Sequence, residues 1–238
     1  ANAYKGIYSS VGTPGTTPAT SLVLLQGQQK LNEFAAMMPN RYATVNPAAN
    51  AGLVEGMKGL FNPVDTISRQ FKNGLMGEGV LGYEEINMSQ SIQLHTCGSR
   101  AATGATVNGN ASEGATTITL ASAGNALTFA VGDVFTVADC YAVNPQTRQS
   151  TGSLQQFVVT EANTSTSGGA VTLKVSPALY SPSNALATVS TLTITGKAVT
   201  FVGAASTSYP QNLIYHKDAI SFATADLLLP NGVDMASR

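Results

Sequence analysis

The stretch Val131–Thr160 reads VGDVFTVADCYAVNPQTRQSTGSLQQFVVT, and its reading decides the fold of the larger part of the chain. Two runs within it, Val134-Phe135-Thr136-Val137 and Phe157-Val158-Val159-Thr160, carry the β-branched and aromatic residues that strands favour. Between them lies a polar connection marked by Asn144-Pro145 and Thr151-Gly152. Those dipeptides are turn chemistry, so the stretch reads as two paired strands joined by a long solvated loop, Ala142–Leu154. It contains no nucleophile, base or phosphate-cradling pattern.

The same style extends outward across residues 101–202. Short β-rich runs recur at Thr116–Leu120, Val171–Val175, Ala187–Thr195 and Ala198–Val202. Asn108-Gly109, Gly124-Asn125 and Gly168-Gly169 punctuate them. Strands spaced in this way predict a small antiparallel barrel or sandwich. Its expected core includes Val134, Phe135, Val137, Phe157, Val159 and Leu173, with register deciding which face inward.

Residues 1–100 have a different character. Tyr4–Val11 is a strand candidate, followed by the break Gly12-Thr13-Pro14-Gly15. From Ser21 to Met38 the apolar residues Leu24, Leu31, Phe34, Ala35 and Met38 recur at helical spacing. Arg41–Val45 reads as a strand. Asn46-Pro47 is a helix start, with Asn as cap and Pro at the first position. Leu53, Val54, Met57, Leu60 and Phe61 form that helix's stripe, and a short helix over Asp65–Phe71 follows. Val80–Ile86 reads as one more strand. After residue 202 this style returns, with a strand at Leu213-Ile214-Tyr215 and alternation from Asp218 to Ala223. The fold class is therefore α+β, with the β-rich part inserted between residues 1–100 and 203–238.

Composition excludes several functions. Only 11% of the 238 residues are charged and the net charge is −1. The basic excess of a nucleic-acid-gripping protein is absent. Such sparse charge favours surfaces that associate. No apolar run is long enough for a membrane span. The two cysteines, Cys97 and Cys140, lack metal or redox spacing and fit a reducing compartment. The chain does not begin with Met and stops at Met235-Ala236-Ser237-Arg238, so a segment of a longer polypeptide is expected.

Candidate chemistry is thin. Gly196-Lys197 is followed by Ala198, not Ser or Thr, so it is a hairpin turn and not a phosphate loop. Gly74, Gly77 and Gly79 open no helix. His95 lies two residues from Cys97, but a zinc site needs three or four ligands and the sequence supplies two. His216 has Asp218 as a neighbour for a structural hydrogen bond. Glu84 and Glu85 point to opposite faces of a strand. Asp133 follows Gly132 and caps its own turn, and Asp139 is its nearest acidic companion. No catalytic residue, cofactor site or metal site is assigned. His95, Cys97 and His216 are expected not to converge with a carboxylate in an open pocket.

Three segments resemble the major coat proteins of tailed phages of the P-22 kind. The first is Tyr4–Glu85, with its Arg41-Tyr-Ala-Thr-Val-Asn-Pro47 step and its Leu81-Gly82-Tyr83-Glu84 end. The second is Gly132-Asp133-Val-Phe-Thr-Val through Ala142-Val-Asn-Pro-Gln-Thr-Arg148 to Gln155-Gln-Phe-Val-Val159. The third is Leu213-Ile-Tyr-His-Lys-Asp218 through Asp226 to Pro230-Asn-Gly232. The resemblance implies a Hong-Kong-97-like capsid core, partial here, carrying a telokin-like insertion domain. It implies apical-type α/β structure for 1–100, the insertion for 101–202 and a return to the core for 203–238. It further implies self-assembly into hexamers and pentamers of an icosahedral shell that encloses double-stranded DNA. Scaffolding protein and portal would be partners, with assembly in the host bacterial cytoplasm. Arg148, a rare charge among Gln146, Gln149, Gln155 and Gln156, becomes a candidate intersubunit or interdomain contact. A β-rich carbohydrate-binding or adhesion module is the alternative, and it would need exposed aromatics clustered on one face of residues 101–200.

Overall fold

The computed structural model describes residues 3–57, 77–221 and 223–224. The fold is mixed α+β and rich in strands. The predicted features at Leu60, Phe61, Asp65–Phe71 and beyond residue 224 lie outside the described residues.

Two strands dominate: β8 (Val134–Val143) and β9 (Ser150–Val159). They pair antiparallel with Phe135 opposite Phe157. β8 alternates inward with Phe135 and Val137, then changes phase to Cys140 and Ala142. The change falls at an irregular stretch that holds Asp139, with its φ of 61°: from Thr136 to Tyr141 β8 runs three residues more than β9 does from Gln156 to Leu154. Both strands are longer than their apolar runs. The connection is therefore only Asn144–Gln149, and the expected long loop over Ala142–Leu154 is mostly ladder.

Around this pair runs a six-stranded sheet in the order β12 (Val199–Phe201), β8, β9, β11 (Val171–Leu179), β6 (Ala115–Ala121), β5 (Thr106–Val107). Its two edges meet. Val107 N–H donates to Lys197 O and Val199 N–H to Ala105 O, and Thr106 bridges Ala198. The sheet thus comes close to a closed barrel, which leaves little exposed edge. Its core holds Phe135, Val137, Phe157, Val159 and Leu173, as expected, with Phe129, Leu120, Leu179 and Ile194. Val134 is only half-buried, because it lies on the opposite face of β8 from Phe135. Ala187–Thr195 is irregular chain and not a strand; it contributes Val189 and Ile194 to the core. A short pair, β7 (Thr128–Phe129) with β10 (Asn163–Thr164), caps one end.

A second core is built on a four-stranded sheet in the order β14 (Leu213–His216), β1 (Arg41–Val45), β3 (Tyr83–Met88), β2 (Gly77–Val80). The expected single strand Val80–Ile86 is two strands, because Leu81 and Gly82 both take positive φ and reverse the chain. Tyr4–Val11 is not a strand but a 3-10 turn, Ala3–Gly6, running into irregular chain that packs on β9. Asp218–Ala223 likewise holds a 3-10 turn, Lys217–Ala219, in place of alternation. A two-stranded ribbon, β4 (Leu94–Thr96) with β13 (Ser208–Pro210), joins the two parts.

Helices α1 (Ser21–Glu33) and α2 (Pro47–Met57) cover this sheet with Leu24, Leu53 and Met57. α1 ends five residues before the predicted Met38. Ala36 N–H donates to Leu31 O, Ala35 N–H donates to Asn32 O, and Ala35 has a φ of 56°. That is the left-handed cap in which Gly is usual, here made with Ala, so no residue announces it. α2 begins as read, with Asn46 Oδ1 accepting from Ala49 N–H at 2.9 Å. Tyr83 donates to Leu24 O at 2.6 Å beneath α1.

Close approach explains the helix glycines. A Cβ on Gly27 would sit 2.3 Å from Ile214 Cδ1. One on Gly56 would sit 1.7 Å from the Ala19 carbonyl oxygen. Gly56→Ala is therefore expected to destabilise the chain by about 1–3 kcal/mol in urea unfolding, despite Ala's better helix propensity. Gly6→Ala, whose Cβ would meet nothing within 4 Å, is the control and shifts stability by under about 0.5 kcal/mol.

Candidate functional site

The most unusual chemistry lies where the chain enters and leaves the barrel. Arg100 stands at the way in, and Val202-Gly203 at the way out. Arg100 is wholly buried. Its guanidinium donates to Val202 O at 2.7 Å and to Gly203 O at 3.0 Å. Its planar face lies 4.6 Å from the Phe201 ring centre. Its Nε is 3.4 Å from Asp133 Oδ2, an ion pair whose angle does not make a hydrogen bond. Asp133 sits in the turn before β8 and is also buried. Its Oδ2 accepts from Ala130 N–H at 3.0 Å and Gly98 N–H at 3.2 Å. Its Oδ1 faces His95 Nε2 at 3.1 Å. Cys97, just beyond β4, completes the group: the donor atoms of His95, Cys97 and Asp133 all lie within 4.8 Å of one another.

The electrostatics follow from these contacts. The hydrogen bond to Asp133 raises His95 to about 9; the Cys97 thiol adds to the rise, and burial opposes it. Burial pushes the Asp133 carboxyl up. The His95 hydrogen bond, the Arg100 charge and the two backbone N–H groups outweigh it and hold Asp133 below its ordinary range. At neutral pH the junction is a carboxylate held between two cations. Cys140 lies apart in the barrel core, where burial lifts its thiol to about 12. The two thiols are both free.

The sequence reading did not foresee this group: the ribbon β4–β13 lays His95 and Cys97 against the Asp133 turn. They meet inside the protein and not in a cleft. None of the three residues lines the surface depression of about 180 Å³ between β5 and β6 or the one of about 420 Å³ beside Met38 and Tyr83. Asp133 caps its own turn as read, but its larger role was missed. One faint signal for it was present: Arg100 is a rare charge placed where the composition changes. Among the described residues His216 forms its ion pair with neighbouring Asp218, at 3.5 Å. Asp139 is bound to Lys197 at 2.6 Å on the surface, well removed in role from Asp133.

A second polar region surrounds the β8–β9 hairpin. Asn144 Nδ2 donates to Glu33 O at 2.9 Å and Ser153 Oγ to Glu33 Oε2 at 3.0 Å, so the hairpin rests on the C-terminal end of α1. Gln156 both accepts from Ser10 N–H and donates to Ser10 O, at 2.8 and 3.0 Å. Tyr8 meets Phe34 edge-on with ring centres 5.6 Å apart. Arg148 lies on the exposed tip, with a φ of 55° and no ion-pair partner among the described residues. Tyr141 is the one aromatic among the exposed large apolar side chains of the described residues, so these hold no aromatic platform of a sugar-binding face.

Removing one member of a buried pair strands the other's charge. Asp133→Asn, assayed by urea unfolding in metal-free buffer, is expected to cost about 3–5 kcal/mol, the range for an uncompensated buried charge. Asp139→Asn, at the exposed pair with Lys197, is expected to cost under about 1 kcal/mol.

No curated protein matches the chain. Residues 37–237 match the family described as "P22 coat protein - gene protein 5". That span takes in the barrel core, the sheet core apart from α1 and its Leu24, the ribbon, the junction at Arg100 and the β8–β9 hairpin, and it overlaps the first of the three resembling segments from residue 37 onward and contains the other two. The chain belongs to the P22 coat protein family, whose members are structural capsid proteins of phage virions.

Proposed function

We propose that this chain is the major shell subunit of a tailed-phage head and assembles with itself into the hexamers and pentamers of an icosahedral capsid around double-stranded DNA. The family match over residues 37–237 carries the reading. Residues 1–100 and 203–238 serve as parts of a Hong-Kong-97-like core, and residues 101–202 as the inserted β-domain. The fold agrees with that division of labour: the barrel core runs from Ala105 to Phe201, and the sheet core draws on both sides of it. Scaffolding protein and a portal are its partners during assembly in the bacterial cytoplasm. Mechanically the subunit acts through surfaces, and repeated heterologous contacts close when their rotation closes. Sparse charge, at 11% of residues, suits broad contact of this kind. DNA is enclosed and not gripped, since the net charge is −1.

Arg148 is the proposed contact of the hairpin tip. The inner side of the hairpin is already bonded to Glu33 and Ser10, which leaves the tip facing outward. A guanidinium there suits a carboxylate of a neighbouring subunit.

Expressing the coat polypeptide that carries this sequence, with its scaffolding protein, should yield closed shells in negative-stain images; monomers or shapeless aggregates alone would refute the reading. In the same system Arg148→Ala should lower particle yield or change particle size in sedimentation while leaving the thermal midpoint of the subunit unchanged. Wild-type particles in wild-type yield would reduce the tip to a connector.

A further inference from the structure

Asp133 uses its two oxygens differently. Oδ2 takes both backbone N–H groups and faces Arg100 Nε. Among the described residues Oδ1 is hydrogen-bonded only to His95 Nε2. This is the arrangement of a monodentate metal-binding carboxylate, with one oxygen aimed at the ion and the other fixed by hydrogen bonds behind it. Cys97 Sγ stands within 4.8 Å of both of the other donors. The observed 3.1 Å between His95 Nε2 and Asp133 Oδ1 is close to the roughly 3.3 Å that two ligands of one tetrahedral zinc keep, given metal–ligand bonds of about 2.0–2.1 Å.

We infer that His95, Cys97 and Asp133 form a site for one divalent transition-metal ion of the zinc class. Nitrogen, thiolate sulfur and a single carboxylate oxygen are the donor set that zinc accepts and that magnesium or calcium does not. Three protein donors leave one tetrahedral position free. The charge balances. Binding expels the imidazolium proton and the thiol proton, and a doubly charged ion takes their place, so Asp133 and Arg100 keep the surroundings they have. All three residues are at least nine-tenths buried, so the ion enters as the chain folds. Its place in the fold gives it a structural role. It would tie the ribbon strand β4 to the turn that starts β8, beside the point where Arg100 binds both chain crossings. The open position, walled in by burial, does not make it a hydrolytic centre.

The test uses the full chain, produced in zinc-supplemented and in cobalt-supplemented medium and purified without chelator. One zinc per chain is expected by elemental mass spectrometry. The cobalt form is expected to show a near-ultraviolet thiolate-to-cobalt charge-transfer band with tetrahedral ligand-field bands in the visible. Cys97→Ser should abolish the charge-transfer band and Cys140→Ala should keep it. Wild-type chain with well under one metal per chain and no charge-transfer band overturns the inference and leaves the junction a plain ion pair. A band that survives Cys97→Ser and vanishes in Cys140→Ala also overturns it. Should Cys97→Ser fail to fold, X-ray absorption of the wild-type zinc form decides without it: one sulfur with nitrogen and oxygen neighbours is expected, and an all-oxygen shell overturns the site.

Discussion

The buried Arg100–Asp133 pair is the constraint on which the rest of the structure depends. A barrel reached by two chain crossings must hold those crossings together, or the β-rich part swings freely. Arg100 does this with one planar group, binding Val202 O and Gly203 O on the outgoing segment while standing on the incoming one. A fully buried guanidinium is costly unless its charge is met, and Asp133 meets it. Asp133 in turn fixes the tight turn at Ala130 and pins the Gly98 backbone. Gly98 has to be glycine, because a Cβ there would lie 2.2 Å from Thr128 O. One ion pair thus sets the start of β8, the path of the ribbon and the closure of the sheet through β12.

The other contacts between the barrel and the helical part are of a different kind. Glu33 with Asn144 and Ser153, and Gln156 with Ser10, are directional hydrogen bonds, each of modest net worth. Such contacts fix orientation more than they add stability. A capsid protein that assembles with copies of itself needs that property, since each copy must present its surfaces at one angle.

The strongly periodic parts of the fold were legible in the sequence. Val134–Val137, Phe157–Thr160, Val171–Val175 and Arg41–Val45 are strands because alternation and β-branching agree there. The Asn46-Pro47 start is visible because cap chemistry is local. The misses share a cause, which is that long-range contacts overrode local signals. The irregular stretch at Asp139 lets β8 run on through polar residues that resemble a loop. Ala35 closes α1 in a conformation usually left to Gly, and Arg41 then covers the carbonyls of Ala36 and Met37. Gly27 reads as a weakness in a helix until Ile214 is seen against it. His95 and Cys97 lie near each other in sequence but far from Asp133, and only the pairing of β4 with β13 brings the three together.

That last miss bears on how a binding or structural centre is found in a chain with few charges. With acidic and basic residues rare, each buried one has few partners to choose from. Asp133, Arg100 and His95 are wholly or nearly buried. Low charge at the surface and a charged junction inside are two sides of one distribution. The exterior is left to hydroxyls and amides that can meet a neighbouring subunit without electrostatic repulsion. The few charges kept inside gain strength from the low dielectric around them. A change at the junction therefore acts on the orientation of the whole barrel, whereas a change at Arg148 acts only on what the tip touches.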